Sequence, residues 1–362
     1  MLIMRMVVVG LLMIGFASIA YADVTPQQLE LFRKVQPSDD AGVAQASKLA
    51  KELSARNDLQ SLTALRAMKG ASGLGKNWLL GLANAAQNKR PASKADLESF
   101  LSSANEDSEA RYTVFRWLTD GDAEARNQWL SRMTEDPSPE IRYEAIAKAL
   151  EPAELPEAAL RSLLDSARQP EQVTAIIERL DKAGVKIDQA KHFGFLTQWK
   201  FIGPFDNVGS DKFNTVYPVE PDYVANKLAD SYPAKAGAVT WQSESSSDRE
   251  GAVDLAKLYN NEKGCIVYGV AEVNSPSEVA CELRVGCINA QKLWVNGELV
   301  IANEVYHTGM QVDQYVAQIK LKAGVNRILI KVCQNEQKDA WAQRYIFQAR
   351  ICDSTGKALA LK

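Results

Sequence analysis

The hydrophobic pattern of this chain changes character once, at Trp199-Lys200-Phe201-Ile202-Gly203-Pro204-Phe205-Asp206-Asn207. Before it, apolar residues recur at helical spacing. After it, they alternate in short runs broken by Gly, Pro and Asn. The two periods cannot serve one kind of element, so a helical part must be followed by a strand-built part. The stretch itself reads as the first strand of the second part. It is expected to end at Gly203-Pro204, because proline cannot donate to a sheet ladder. At 362 residues the chain is long enough for two parts with cores of their own.

The N-terminus reads as a targeting segment. Arg5 is the only charge before Asp23, residues 7–19 are apolar with small residues, and Ala20-Tyr21-Ala22 fits an A-x-A cleavage site. Residues 1–22 are therefore expected to be a signal peptide. A retained anchor is the alternative, but the run is short for a span and a polar segment follows at once. No later run could cross a bilayer. The expectation is an exported protein, periplasmic or extracellular, with no membrane attachment after cleavage.

Residues 23–190 read as one helix after another. Helices are expected around 40–55, 58–69, 76–88, 93–103, 107–119, 122–134, 138–150, 156–167 and 171–183, with short connections. The clearest unit is Asp136-Pro137-Ser138-Pro139-Glu140-Ile141-Arg142, running on to Leu150. Ser138 can cap, Pro139 fits a first turn, and Ile141, Ala145, Ile146 and Ala149 make a small-and-aliphatic stripe. This unit resembles a HEAT repeat, which implies a stacked α-solenoid in which each helix pair covers the next. An irregular all-α domain is the alternative. The aromatic residues Tyr112, Phe115, Trp117 and Trp129 sit at helical spacing and are read as core.

Residues 191–362 read as an antiparallel β-sandwich. Residues 279–287 place Cys281, Leu283, Val285 and Cys287 on one face and Glu282 and Arg284 on the other. Asn296-Gly297 is a strong hairpin signal, and Ala323-Gly324 marks another turn. Leu293-Trp294-Val295-Asn296-Gly297-Glu298-Leu299-Val300, with the later Lys322-Ala323-Gly324-Val325-Asn326, resembles the galactose-binding-domain-like jelly roll. Trp199 to Asn207, Phe213 and Tyr217-Pro218-Val219-Glu220 are similar to the start of that module in large exported bacterial proteins, notably of planctomycetes, where it is joined to HEAT-like helices. The resemblance implies a fold and an exported multidomain setting. It implies function poorly, since such modules bind sugars, bind proteins or act as spacers.

Composition and motifs exclude more than they assign. The net charge is −3 and neither half carries a basic excess, so a nucleic-acid ligand has no electrostatic support. The two histidines, His192 and His307, cannot build a three-histidine zinc site, and no H-E-x-x-H, nucleophile elbow, phosphate loop or dinucleotide fingerprint occurs. The loop at Gly286-Cys287-Ile288-Asn289-Ala290 lacks the carboxylates that a calcium ion needs. No catalytic residue, metal site or cofactor is expected. The five cysteines lack a C-x-x-C spacing and cannot all pair within one chain, so at most two bridges are expected.

The segment 303–315 mixes aromatic, amide and carboxylate side chains, the types a sugar site needs. Tyr306, His307, Asp313, Gln314 and Tyr315 are the candidate ligand residues, with a solvated loop tucked onto the sandwich as the alternative. Trp241 and Trp341 are further candidates, for which the core is the stronger expectation. The functional expectation is a non-catalytic recognition module at the cell envelope that binds carbohydrate. A protein-interaction scaffold that uses the helices to hold an envelope protein is the second reading, and an unrecognised hydrolase the third.

Overall fold

The computed structural model describes residues 26–361; the expected signal peptide at residues 1–22 lies outside them. The chain divides into two compact units between Trp129 and Leu130. The division falls before the boundary expected between residues 190 and 191, so the last helices fall in the same unit as the sheets.

The first unit is helical: α1 (Pro26–Lys34), α2 (Asp40–Ala55), α3 (Ser61–Arg66), α4 (Gly73–Lys89), α5 (Lys94–Ser102), α6 (Ser108–Thr119) and α7 (Ala123–Leu130), whose end crosses the division. Short polar side chains start the helices. Asp39, Ser72, Ser93 and Asp107 each accept a hydrogen bond from a backbone N–H in the first turn. Leu29, Phe32, Leu53, Leu79, Phe100 and Phe115 are buried. Gly75 lets α4 approach α1: a Cβ there would lie 2.1 Å from the Phe32 carbonyl oxygen.

The second unit opens with α8 (Pro139–Ala149), α9 (Glu157–Ser166), α10 (Pro170–Lys182) and α11 (Gln189–Phe193). Ser138 caps α8 and Pro139 occupies its first turn, as the sequence pattern predicts. Ile146, Leu160, Leu164, Val173, Ile176 and Leu180 form their shared core, which Phe193 and Phe195 join. The strands follow: β1 (Gln198–Asp206), then α12 (Val219–Val224), β2 (Ser231–Ala234), β3 (Gly237–Thr240), β4 (Gln242–Ser245), β5 (Val253–Asp254), α13 (Leu255–Leu258), β6 (Cys265–Ser275), β7 (Val279–Cys287), β8 (Ala290–Val295), β9 (Glu298–Asn303), β10 (Tyr315–Leu321), β11 (Gly324–Gln334) and β12 (Ile346–Cys352). They form a six-stranded sheet, β4-β1-β6-β11-β8-β9, a four-stranded sheet, β10-β7-β12-β5, and a separate β2-β3 pair. The pairings are antiparallel throughout. Asn296 and Gly297 turn β8 into β9 with φ of 51° and 93°, the left-handed pair that a tight hairpin demands.

The strand at Trp199 runs further than expected. β1 continues through Gly203-Pro204, joined by a cis peptide, to Asp206. A register shift between Ile202 and Phe205 takes the proline out of the ladder with β6, so its missing N–H costs no pairing. Gly203 allows the close passage, since a Cβ there would meet the Ile266 carbonyl oxygen at 2.9 Å.

Alternation within the strands gives the large sheet two buried faces. One face packs on the four-stranded sheet, with Trp199, Phe201, Val267, Ile328 and Ile330 against Leu283, Val285, Phe347 and Ile351. The Phe347 ring stands edge-on to Trp199 at 5.2 Å and to Phe201 at 6.1 Å. On the other face Ile202, Phe205, Ile266, Tyr268 and Leu329 are covered by Phe213, Val219, Tyr223 and Tyr232. All five cysteines are buried and free.

A buried cation sits on the outer face of each of the two larger sheets. Lys331 of β11 is fully buried and donates to the carbonyls of Phe213 at 3.0 Å and Thr215 at 2.7 Å and to Glu220 Oε1 at 2.9 Å. Tyr268 Oη donates to the same Glu220 oxygen at 2.5 Å. Arg350 of β12 is 1% exposed. Its Nε and Nη2 donate to the two oxygens of Asp313 at 2.7 and 2.6 Å, and its Nη1 to the carbonyls of Phe193 at 3.1 Å and Gly356 at 3.0 Å. Arg284 Nη1 donates to Asp313 Oδ2 at 2.7 Å.

Removing one member of either group leaves a buried charge without its partner. Lys331→Met is expected to cost about 3 kcal/mol or more in urea unfolding, and adding Glu220→Gln should recover part of that loss. A double variant no more stable than Lys331→Met would show that the ion pair is not the fastening. Burial alone would raise the Asp313 carboxyl, but hydrogen bonds and charge from Arg350 and Arg284 outweigh it and hold the group below its usual range. A depressed folded pKa means that the unfolded chain binds the proton more readily. The stabilisation is therefore complete above the unfolded value of about 3.9 and is lost as pH falls through the folded value. Asp313→Asn should be much less stable than the native chain near pH 7, with the difference shrinking below about pH 4. A difference that stayed constant on acidification would rule out the pair as its cause.

Candidate ligand-binding surfaces

The segment between β9 and β10 carries the five side chains singled out by the sequence, and the structure separates them. Tyr306 is half-buried on the second face of the large sheet, and its hydroxyl accepts from Asn207 Nδ2 at 3.3 Å. Asp313 is held between Arg284 and Arg350. Gln314 Oε1 accepts from the Cys287 N–H at 3.1 Å, while its Nε2 donates to Thr308 Oγ1 at 3.0 Å. Tyr315 opens β10 and packs against the core between the sheets. All four are thus engaged in closing the loop onto the strands.

His307 is placed differently. Its backbone is left-handed, with φ of 58°, a conformation that costs a non-glycine residue about 1 kcal/mol or more and persists only when neighbours hold it. Thr308 supplies that hold: its N–H donates to the Ile288 carbonyl at 3.0 Å and its hydroxyl to the Cys287 carbonyl at 3.2 Å. The His307 Nε2 lies 2.8 Å from Asn335 Oδ1, and its buried Nδ1 has no partner.

Against the His307 ring stands Trp341, in a single 3-10 turn over Ala340–Ala342. The rings meet edge to face, 5.1 Å between centroids and 85° between planes. Trp341, expected in the core, is 61% exposed. Helical or alternating context was the only guide to its burial, and Lys338-Asp339-Ala340 around it supplies neither pattern. Val305, 44% exposed, and the amides of Asn335 and Gln337 belong to the same group of loops. The result is a flat aromatic surface braced by an imidazole and set among planar polar groups.

A second surface lies on the large sheet, where an open cleft of about 620 Å³ is bounded by the segment 226–230 and by Trp241. Lys200, Val270 and Glu272 line it from β1 and β6. Arg327 Nε donates to Glu272 Oε1 at 2.7 Å and its Nη1 to Asn226 Oδ1. Trp241 is partly covered, and its Nε1 donates to the Ala229 carbonyl at 2.9 Å. Sequence reasoning singles out Trp241 but not the cleft around it, because its other walls come from β1, β6 and β11, far from Trp241 in the chain.

Among the described residues no group of three or more His, Cys, Asp or Glu side chains could hold a metal ion, and no helix is long and apolar enough to cross a membrane.

No family model and no curated protein matches the chain. Among solved structures it is similar to a beta-glucosidase from Kluyveromyces marxianus in complex with glucose, at 14% identity over 25% of this chain and 10% of that one, with a TM-score of 0.20. It is similar to an uncultured Clostridium sp. beta-glucuronidase at 13% identity, over 44% of this chain and 29% of that one, with a TM-score of 0.26. It is similar to an alpha-xylosidase from Xanthomonas citri at 11% identity, over 44% of this chain and 16% of that one, with a TM-score of 0.21. The chain thus spans less than a third of the length of each of these enzymes, and likeness at this level decides neither fold nor function.

Proposed function

We propose that this chain is an exported, non-catalytic recognition module that binds carbohydrate at the loop end of its second unit. In finer terms we read the helices as a HEAT-like array and the sheets as a galactose-binding-domain-like jelly roll. The observation that carries the reading is the exposure of Trp341 with its ring braced by His307. A large aromatic side chain left in water costs apolar burial that the core could have had, and a sugar's C–H face is the kind of partner that recovers it. Asn335 and Gln337 offer donors and acceptors for hydroxyls beside it. In this reading Tyr306 and His307 set the platform, and Asp313, Gln314 and Tyr315 hold the loop that carries it.

A single platform with one or two net hydrogen bonds, each worth about 1 kcal/mol, gives only weak affinity, roughly micromolar to millimolar. Screening the mature chain on a glycan array should return a weak, reproducible ligand. Trp341→Ala should abolish that binding while the melting temperature moves by no more than about 2 °C, as expected for an exposed side chain. Trp241→Ala should leave binding intact. Loss of binding in Trp241→Ala alone would transfer the site to the sheet cleft, and a native chain that retained no glycan would end the carbohydrate reading.

A further inference from the structure

A cavity of about 490 Å³ in the second unit is lined by four arginines, Arg142, Arg168, Arg284 and Arg350, and by one carboxylate, Asp313. The carboxylate is already spent, since both Arg284 and Arg350 donate to it, and Arg284 also pairs with Glu282 at 2.6 Å. Arg142 and Arg168 have no carboxylate at ion-pair distance among the described residues. Arg142, 5% exposed, gives Nη1 to the Asp136 carbonyl at 2.6 Å and Nη2 to the Thr355 carbonyl at 3.4 Å. Arg168 gives Nη1 to the carbonyls of Asp165 at 2.6 Å and Ala167 at 2.8 Å, and its buried Nε has no partner.

The acids that lie nearby are turned to other work. Glu135 accepts from the Ser166 hydroxyl. Asp353 accepts from the Thr355 N–H and hydroxyl and from the Lys357 N–H. Burial first, and then the charge of Arg168 on Arg142 and of Arg350 on Arg168, hold both arginines below the usual arginine value. Arginine does not lose its proton, so the two charges stay and repel. Two helices also begin at the rim: Pro139 at the start of α8 and Pro170 at the start of α10 both line the cavity. The start of α10 has no side-chain cap on its first N–H groups, although Glu171 stands in its first turn. Guanidinium forks and helix starts converging on one space are complementary to a tetrahedral oxyanion.

We propose that this cavity binds a doubly charged oxyanion, a phosphate or sulfate group, which neutralises Arg142 and Arg168. The space is many times the roughly 30 Å³ share of a water molecule, so it can take the anion together with part of a carrier. The shared chemistry is the oxyanion; the carrier distinguishes a free ion from an ester.

Isothermal titration of the mature full-length chain decides it, with sodium phosphate, sodium sulfate and a phosphorylated hexose, each at constant ionic strength against chloride. Saturable binding of phosphate or sulfate is expected, weakened at least tenfold in Arg168→Gln and unchanged in Arg161→Gln, which alters an exposed arginine on α9. Arg168→Lys, which keeps the charge and loses the fork, should also bind more weakly and serves if Arg168→Gln fails to fold. A sugar phosphate that binds more tightly than inorganic phosphate assigns the ester, and the reverse assigns the free ion. Absence of saturable binding beyond chloride, or native affinity in both Arg168 variants, overturns the proposal. Because phosphate and sulfate, which decide the proposal, are inorganic anions, this outcome does not depend on glycan binding at Trp341.

Discussion

A guanidinium sealed inside a protein has to bring its counter-charge with it, and Arg350 brings much of the second unit. The side chain is on β12, yet its partners come from α11, from the loop between β9 and β10, and from the C-terminal turn at Gly356. Its guanidinium also lies over the Phe193 ring at 5.5 Å and the Phe195 ring at 6.0 Å. Phe195 forms a bridge with Arg350 itself, and the Leu196 N–H donates to the Ala349 carbonyl at 2.8 Å. Helices and sheet are therefore joined by main-chain hydrogen bonds, aromatic contact and charge at one place. That is why α8 to α11 share a compact unit with the strands, although their sequence pattern resembles the helices before them.

The same constraint explains what sequence could and could not disclose. Local signals were legible: the change of period at Trp199, the cap at Ser138 followed by Pro139, the alternation from Cys281 to Cys287, and the turn at Asn296-Gly297. Each rests on residues within one or two turns of each other. Asp313 was not legible in its actual role, because the arginine that holds it lies 37 residues away. The partners Glu220 and Lys331 lie 111 residues apart. A carboxylate in a polar loop looks free until the fold brings a cation to it. Pro204 misled for a related reason, since only the register between β1 and β6 reveals that the proline sits in a bulge.

The interior of the second unit is more polar than alternation suggests. Gln291, Gln348 and Asn289 are buried, and several of their amide atoms have no protein partner. Asn289 Nδ2 donates to Gln334 Oε1 at 2.8 Å, and Gln334 in turn accepts from the Asn335 N–H at 3.1 Å. Buried amides of this kind are costly unless satisfied, and ordered water is their usual remaining partner. The Asn289–Gln334 pair leads to Asn335, which holds His307 and through it the Trp341 edge. The exposed aromatic surface is thus supported from inside by a chain of amides rather than by apolar packing.

The buried cysteines carry a consequence for the lifetime of the protein. Burial pushes Cys265, Cys287 and Cys333 up to about 12, and Cys281 and Cys352 up to about 11. The folded chain therefore offers oxidants almost no thiolate. An unfolded chain offers five thiols with ordinary acidity, an odd number that cannot be paired off internally. In an oxidising compartment each full opening risks a wrong or intermolecular crosslink from which the native state cannot be regained. Endurance there would be governed by the rate of opening, and buried ion pairs that slowed it would also protect the thiols.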